Sequence, residues 1–306
     1  SESGRALDIG TGITPINNFD LGGSTFETNI GFGVLCNNTN INLTNFNSVS
    51  NNGISFRLNS GSASFFKSKA KGTGDSVYIR SGAITVSDFT TDSNSGKALL
   101  VEGVNTLIKN FSAISVSGYA VYSSSTTYKI ENFYAKTTSG AYSVQAPANS
   151  ILINGTIISD STTAGYLNEC KKVENVTFMT NSGSEACRNR ATTEFINCIF
   201  RNIGGGSGVA YTSEFPSLSI LKRCSFISEK TSGGTGHGAS ISDGSSIINF
   251  LNCDFNVLDS TVNCIHGTVA MNAEVTNSSF LGATTPINSN ITVNSTTDLG
   301  NGNRQI

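Results

Sequence analysis

The sequence predicts an all-β fold, a right-handed parallel β-helix (β-solenoid) of about 12 rungs. Three observations carry it: a motif recurring about every 22 residues, an Asn that keeps returning at the motif's centre, and an apolar alternation that slips phase at that Asn. The aligned segments include "INLTNFNS", "ITVSDFTT", "TLIKNFSA", "YKIENFYA", "ILINGTII", "KVENVTFM", "EFINCIFR", "ILKRCSFI", "NFLNCDFN" and "EVTNSSFL". Their central positions are Asn45, Asp88, Asn110, Asn132, Asn154, Asn175, Asn197, Arg223, Asn252 and Asn277. "INNFDL" reads as one further copy, centred on Asn18, and the rung at 60–71 has lost its Asn, so its register is open.

Each column assigns an element. Two residues before the centre stand apolar side chains such as Leu43, Ile108, Ile130 and Phe195. One residue after it stand Phe46, Phe89, Phe111 and Phe133, then Cys198, Cys224 and Cys253; three after it the later turns carry Phe178, Phe200, Phe226, Phe255 and Phe280. A strand alternates faces with period two, so an inward residue at −2 followed by inward residues at +1 and +3 requires a bend. A left-handed residue makes such a bend, and Asn tolerates that conformation better than any residue but Gly. Stacked once per turn, the side-chain amides of Asn45, Asn110, Asn132, Asn154, Asn175, Asn197, Asn252 and Asn277 form a structural ladder. Second strands follow at "GISFRL", "SVYI", "ALLV", "YAVY", "AYSV" and "VAY", separated by Gly, Ser, Thr and Asn turns. A leucine-rich repeat shares the period but requires Leu three before the Asn and a different return, so it is rejected. Residues 1–280 are assigned to the solenoid with its N-terminal capping segment "LDIGTGI", and 281–306 to a terminal rung and C-terminal cap or tail.

Composition narrows the function classes. Charged residues make up 13% of the chain and the net charge is −2, which leaves no basic footprint for nucleic acid. No apolar run approaches the ~20 residues of a membrane span, and no signal peptide is visible. The chain starts Ser1-Glu2, which reads as a processed product or a fragment of a longer protein. The seven cysteines form no CxxC pair, so the expectation is reduced, buried thiols in a chain that folds in a reducing cytoplasm, with no metal and no cofactor.

The Asn stack at a bend, the aromatic stack beside it and the turn length resemble the pectate-lyase-like right-handed β-helix superfamily. Two branches offer themselves, secreted polysaccharide lyases and hydrolases, and bacteriophage tailspikes and tail fibres. The buried cysteines favour the phage branch. That resemblance implies a homotrimeric virion-tail protein, folded in the host cytoplasm, that binds a host surface polysaccharide outside the cell and contacts other tail proteins. Two alternatives are an endo-acting polysaccharide depolymerase on the same scaffold and a bacterial surface adhesin. The family's catalytic residues do not carry over, since neither an Asp-rich calcium cluster nor a Lys/Arg pair matches.

Candidate site residues lie in the long rungs after Asn197, at 204–216, 228–244 and 258–267. Glu229 and Asp259 are the best carboxylate pair for hydrolysis, six and seven places after their bends. Tyr211, Glu214, His237, Asp243 and His266 are the substrate-binding candidates. Counted forward from the bends, His237 and His266 stack; counted back from the next bend, His266 meets Ile241 instead, and two isolated histidines are the simpler expectation. Glu131, Lys109 and Glu174 read as a solvated stripe. Of Tyr119, Tyr122, Tyr134, Tyr142 and Tyr166, some belong to the core and the outward ones suit sugar stacking or a subunit contact.

Overall fold

The computed structural model describes residues 4–10, 18–38, 41–80, 84–123, 128–204, 208–214, 218–230, 235–245, 247–293 and 304–305. No helix occurs among them. The chain divides into two compact units, 1–153 and 154–306. Each is a parallel β-solenoid, and together they supply about twelve turns. Most turns contribute one long bent strand to a first sheet and one short strand to a second. Thr106–Ser115 pairs in parallel with Tyr128–Thr137, for example, while Val121–Ser123 pairs with Leu99–Val101. The short strands coincide with the "GISFRL", "SVYI", "ALLV", "YAVY", "AYSV" and "VAY" stretches.

The bend is the left-handed residue that the alternation requires. Along Thr106–Ser115, inward positions fall at 106 and 108, then at 111, 113 and 115, with Asn110 at φ 54° between them. The same conformation recurs at Asn45, Asp88, Asn132, Asn154, Asn175, Asn197, Arg223, Asn252 and Asn277, all with φ between 48° and 57°. The amides bond along the axis: Asn110 donates to Asp88 at 3.0 Å, Asn132 to Asn110 at 3.0 Å, Asn175 to Asn154 at 2.9 Å, Asn197 to Asn175 at 3.0 Å and Asn277 to Asn252 at 2.6 Å. Arg223 joins by donating its Nε–H to Asn197 at 2.6 Å. A guanidinium has no acceptor, so the chain of amide donors cannot continue through it.

Two rungs differ from the expectation. Phe65 occupies the bend of the rung at 60–71, with φ 55° and 65% of its surface exposed, and the register is fixed by Phe46↔Phe66 and Phe66↔Phe89. Asn18 is not a bend residue. In Phe19–Thr28 the irregularity lies between Asp20 and Ser24, where Gly22 and Gly23 take φ 61° and 77°. Two glycines replace the single left-handed Asn, and Asn18 instead accepts from Asn42 at 3.0 Å.

The core is built from like-on-like stacks. In residues 1–153, Phe46, Phe66, Phe89, Phe111 and Phe133 stack one after bend positions, with ring centroids 4.7–5.8 Å apart. Two places on stand Ser48, Ser68, Thr91, Ala113 and Ala135, all buried and small. In 154–306 the order inverts: Phe178, Phe200, Phe226, Phe255 and Phe280 stack three after the bends at 4.6–5.3 Å, and the +1 column holds Val176, Cys198, Cys224, Cys253 and Ser278. One aromatic and one small residue per rung keep the interior at native density. Each buried ring contributes about 1.5–3 kcal/mol by burial. All seven cysteines are buried and free. Burial pushes the Cys170 and Cys264 thiols up to about 12, and neighbouring Cys198 and Cys253 together with burial push Cys224 upward.

A second repeat emerges at the turn between the sheets, in "SNSG" (93–96), "SVSG" (115–118) and "TNSG" (180–183). The first hydroxyl accepts the N–H three residues on and donates to a carbonyl one rung below, as Ser115 does with Gly118 at 2.9 Å and Gly96 at 2.9 Å. A Cβ on Gly118 would lie 2.0 Å from the Gly96 carbonyl oxygen, so this column admits only the smallest residue with ease.

Two outcomes follow. Phe65→Asn, which suits the left-handed bend and removes an exposed ring, stabilises the chain by about 1 kcal/mol in chemical denaturation. Gly165→Ala places a Cβ about 2.5 Å from the Phe178 ring and destabilises by about 1–3 kcal/mol, read from the same denaturation midpoint.

Candidate functional site

The strongest geometric feature of 154–306 is the histidine pair. The rings of His237 and His266 stack in parallel with centroids 4.1 Å apart and planes 4° from parallel. Neither backbone count anticipates the register, because Ser240 is the residue level with His266. Successive rungs are offset by 29 residues in the first sheet, at Ser225↔Asp254, but by 26 in the second, at Ala239↔Ile265. The side chains close that difference.

A backbone hydrogen bond fixes the protonation of the His237 ring. The Asn263 backbone N–H donates to His237 Nδ1 at 3.1 Å, so the His237 proton sits on Nε2. Asn288 is oriented by the Gly267 backbone: its Oδ1 accepts the Gly267 N–H at 3.0 Å and its Nδ2 donates to the Gly267 carbonyl at 2.9 Å. Asn288 Nδ2 therefore faces His266 Nδ1 at 3.0 Å, and Asn263 Oδ1 faces the same nitrogen at 3.2 Å, so that ring nitrogen lies between a donor and an acceptor. Burial and then the neighbouring ring hold His237 at about 4, against the opposing pull of Asp259, and burial lowers His266. Asn263 Nδ2 also donates to the Thr285 carbonyl at 2.7 Å, which ties the 260–263 turn to the 284–289 turn. Between those turns lies an open depression of about 500 Å³, walled by Ser, Thr and Asn with Val262 as its apolar member.

The remaining candidates are dispersed. Tyr211 is a correction: the segment "VAYTS" is an interior strand, Val209–Ser213, and Tyr211 is fully buried edge-on against Phe195, Phe200 and Phe226. It faces no solvent. Glu214 pairs with Arg188 and Arg190, at 3.3 Å each. Asp243 accepts the Ser245 N–H at 2.7 Å in a local turn. Glu229 accepts from Arg201 Nε at 2.7 Å, and buried Asp259 accepts from the Thr261 N–H and hydroxyl at 3.0 and 2.7 Å. The two carboxylates proposed as a hydrolytic pair are thus each held by a separate partner. Parts of the proposed loops, 205–207, 215–216 and 231–234, lie outside the described residues, as do 11–13 of the N-terminal capping segment and 294–303 of the tail. Among the described residues no group of three His, Cys, Asp or Glu is placed to hold a metal ion.

A second feature occupies 1–153. None of Tyr119, Tyr122, Tyr134, Tyr142 and Tyr166 belongs to the core; all five are half-exposed, and the fully buried tyrosines are Tyr128 and Tyr211. On the outer face of the second sheet, Arg57, Tyr78, Leu100 and Tyr122 succeed one another in register. Tyr119 lies 4.8 Å from Tyr122 and 6.1 Å from Tyr142 between ring centroids, and the Lys97 ammonium stands 5.2 Å from the Tyr122 ring centroid. The Arg57 guanidinium is 5.2 Å from the ring centroids of both Phe32 and Tyr78.

No protein-family model and no curated protein matches this chain.

The histidine geometry sets an acid limit on stability. Between pH 6.5 and 4 the unfolded His237 takes up a proton that the folded ring refuses, so stability falls as pH falls through that window. The expected loss is about 3 kcal/mol by pH 4, followed by equilibrium denaturation across pH. His237→Asn, whose side-chain oxygen can accept the same N–H, flattens the profile.

Proposed function

We propose that this chain is a right-handed β-helix of the bacteriophage tailspike or tail-fibre kind, whose work is to bind a host cell-surface polysaccharide. The observation that supports the reading is the outward row of Tyr78, Tyr119, Tyr122 and Tyr142 on a rigid sheet. Such rings offer flat apolar faces to the C–H faces of sugars, and their hydroxyls and the neighbouring turns offer hydrogen bonds. Tyr119 and Tyr122 share one rung, Tyr142 lies on the next and Tyr78 two rungs before Tyr122, so the rings spread along a stack of about 4.8 Å per rung and suit an extended polymer better than a compact metabolite. Buried free cysteines agree with folding in a reducing host cytoplasm before action outside the cell. Assembly as a homotrimer among other tail proteins belongs to the same proposal.

The depolymerase reading has less support. It requires an acid and a base free to reach one glycosidic bond, whereas Glu229 and Asp259 are engaged by Arg201 and Thr261.

An array of bacterial capsule and O-antigen polysaccharides tests the proposal. Retention of at least one polymer without shortening of its chains is expected, and Tyr122→Ala lowers that affinity by about tenfold, close to the contribution of one stacked ring. Shortened chains in the eluate would move the protein to the depolymerase class. Unchanged affinity in Tyr122→Ala would remove the stripe from the binding surface.

A further inference from the structure

We propose that Arg57, clamped between Phe32 and Tyr78, is a preformed receptor for a carboxylate, and that the polymer bound along the tyrosine stripe is therefore an acidic glycan. The inference rests on the glycan reading above and narrows it to a charge class and a residue.

The geometry starts from the register. Phe32, Arg57 and Tyr78 come from three successive short strands, Gly31–Cys36, Ile54–Leu58 and Val77–Ile79. Phe32 is level with Ile54, and Arg57 is level with Tyr78. Both rings attract the guanidinium through their π-systems, at 5.2 Å each. Arg57 Nε donates to Asn59 Oδ1 at 2.9 Å, and Asn59 is anchored in turn by donating to Asn37 at 2.6 Å. The guanidinium plane is thus set before any ligand arrives, and little side-chain entropy remains to be lost. Its two terminal nitrogens make no hydrogen bond or ion pair among the described residues.

The surrounding charges point the same way. Exposed Arg80 follows Asn59 one rung on and has no acidic partner among the described residues. Of the nearby carboxylates, Asp75 lies 3.8 Å from Lys97, and Glu102 accepts the Tyr78 hydroxyl. Glu102 stands one rung after Arg80, yet neither Arg57 nor Arg80 makes an ion pair among the described residues. A fork of N–H donors in a fixed plane matches a carboxylate bidentately. The adjacent Tyr78 ring receives the sugar that bears it, and Tyr122, two rungs beyond Tyr78, a later sugar of the same polymer. A phosphate-dense polymer fits poorly: two unpaired cations on a chain of net charge −2 give no continuous basic track.

The full chain is titrated with D-glucuronate and, separately, with D-glucose, following the arginine Nε–H signals by NMR. Glucuronate shifts the Arg57 signal, identified by its loss in Arg57→Lys, and glucose does not. A hyaluronate decasaccharide then binds at least tenfold more tightly than its methyl ester, and Arg57→Met removes that preference. Arg57→Lys, which keeps the charge and loses the fork, retains only part of it and serves as the folded control. Equal response to glucuronate and glucose, or equal binding of acid and ester, overturns the proposal. So does tighter binding of a single-stranded deoxythymidine 20-mer than of hyaluronate. If the array retains only uncharged polymers, the carboxylate receptor falls while the glycan reading stands; if it retains no polymer at all, both fall.

Discussion

One residue per turn, held in the left-handed region at the bend of the first sheet, is the constraint on which this structure depends. A strand that alternated faithfully would turn its apolar side outward halfway round each rung. The positive φ at Asn110, Asn132, Asn175 and their equivalents reverses the phase once, so that residues on both legs of the bend face the same interior. Asn meets the conformational demand and adds an amide that bonds to the rung below. Arg223 and Phe65 show that the two contributions separate. Arg223 keeps the conformation and supplies one donor, whereas Phe65 keeps the conformation and supplies none.

Because the bend is fixed, volume becomes a per-rung quantity. The aromatic stack occupies the +1 column in 1–153 and the +3 column in 154–306, with small residues in the complementary column each time. Cysteine is the small partner in three of the later rungs. Its thiol also reaches backbone carbonyls, as when Cys253 Sγ donates to the Leu221 carbonyl at 3.3 Å. Those thiols are packing elements, buried and facing backbone carbonyls.

The repeat made the fold legible, because a period of about 22 residues with a central Asn states the architecture many times over. What escaped were positions where the period or the parity fails. Asn18 looked like a bend because the glycines at 22 and 23 do the same work without the signature residue. Tyr211 fell both in the strand stretch "VAY" and in the long 204–216 segment, and with all five positions of Val209–Ser213 buried, alternation gives no inward–outward cue to its place in the core. The His237–His266 stack was legible only in the forward one of two counts, because the two sheets differ in rung offset and the backward count gives Ile241 instead. The serine–glycine turns were read as punctuation, although their 22-residue recurrence was present in the sequence. Arg57 gave no signal at all, since its partners Phe32 and Tyr78 are more than 20 residues away on either side.

The most direct test of the account compares two substitutions at Asn132, whose amide donates to Asn110 at 3.0 Å and whose φ is 52°. Asn132→Gly keeps the left-handed conformation accessible and loses only the ladder bond; Asn132→Ala loses both. Equilibrium denaturation should show both variants destabilised, with Ala worse than Gly by about 1 kcal/mol despite the lower unfolded-state entropy that ordinarily favours Ala. If Ala proves as stable as Gly, or more so, the left-handed bend is not the constraint that organises this solenoid.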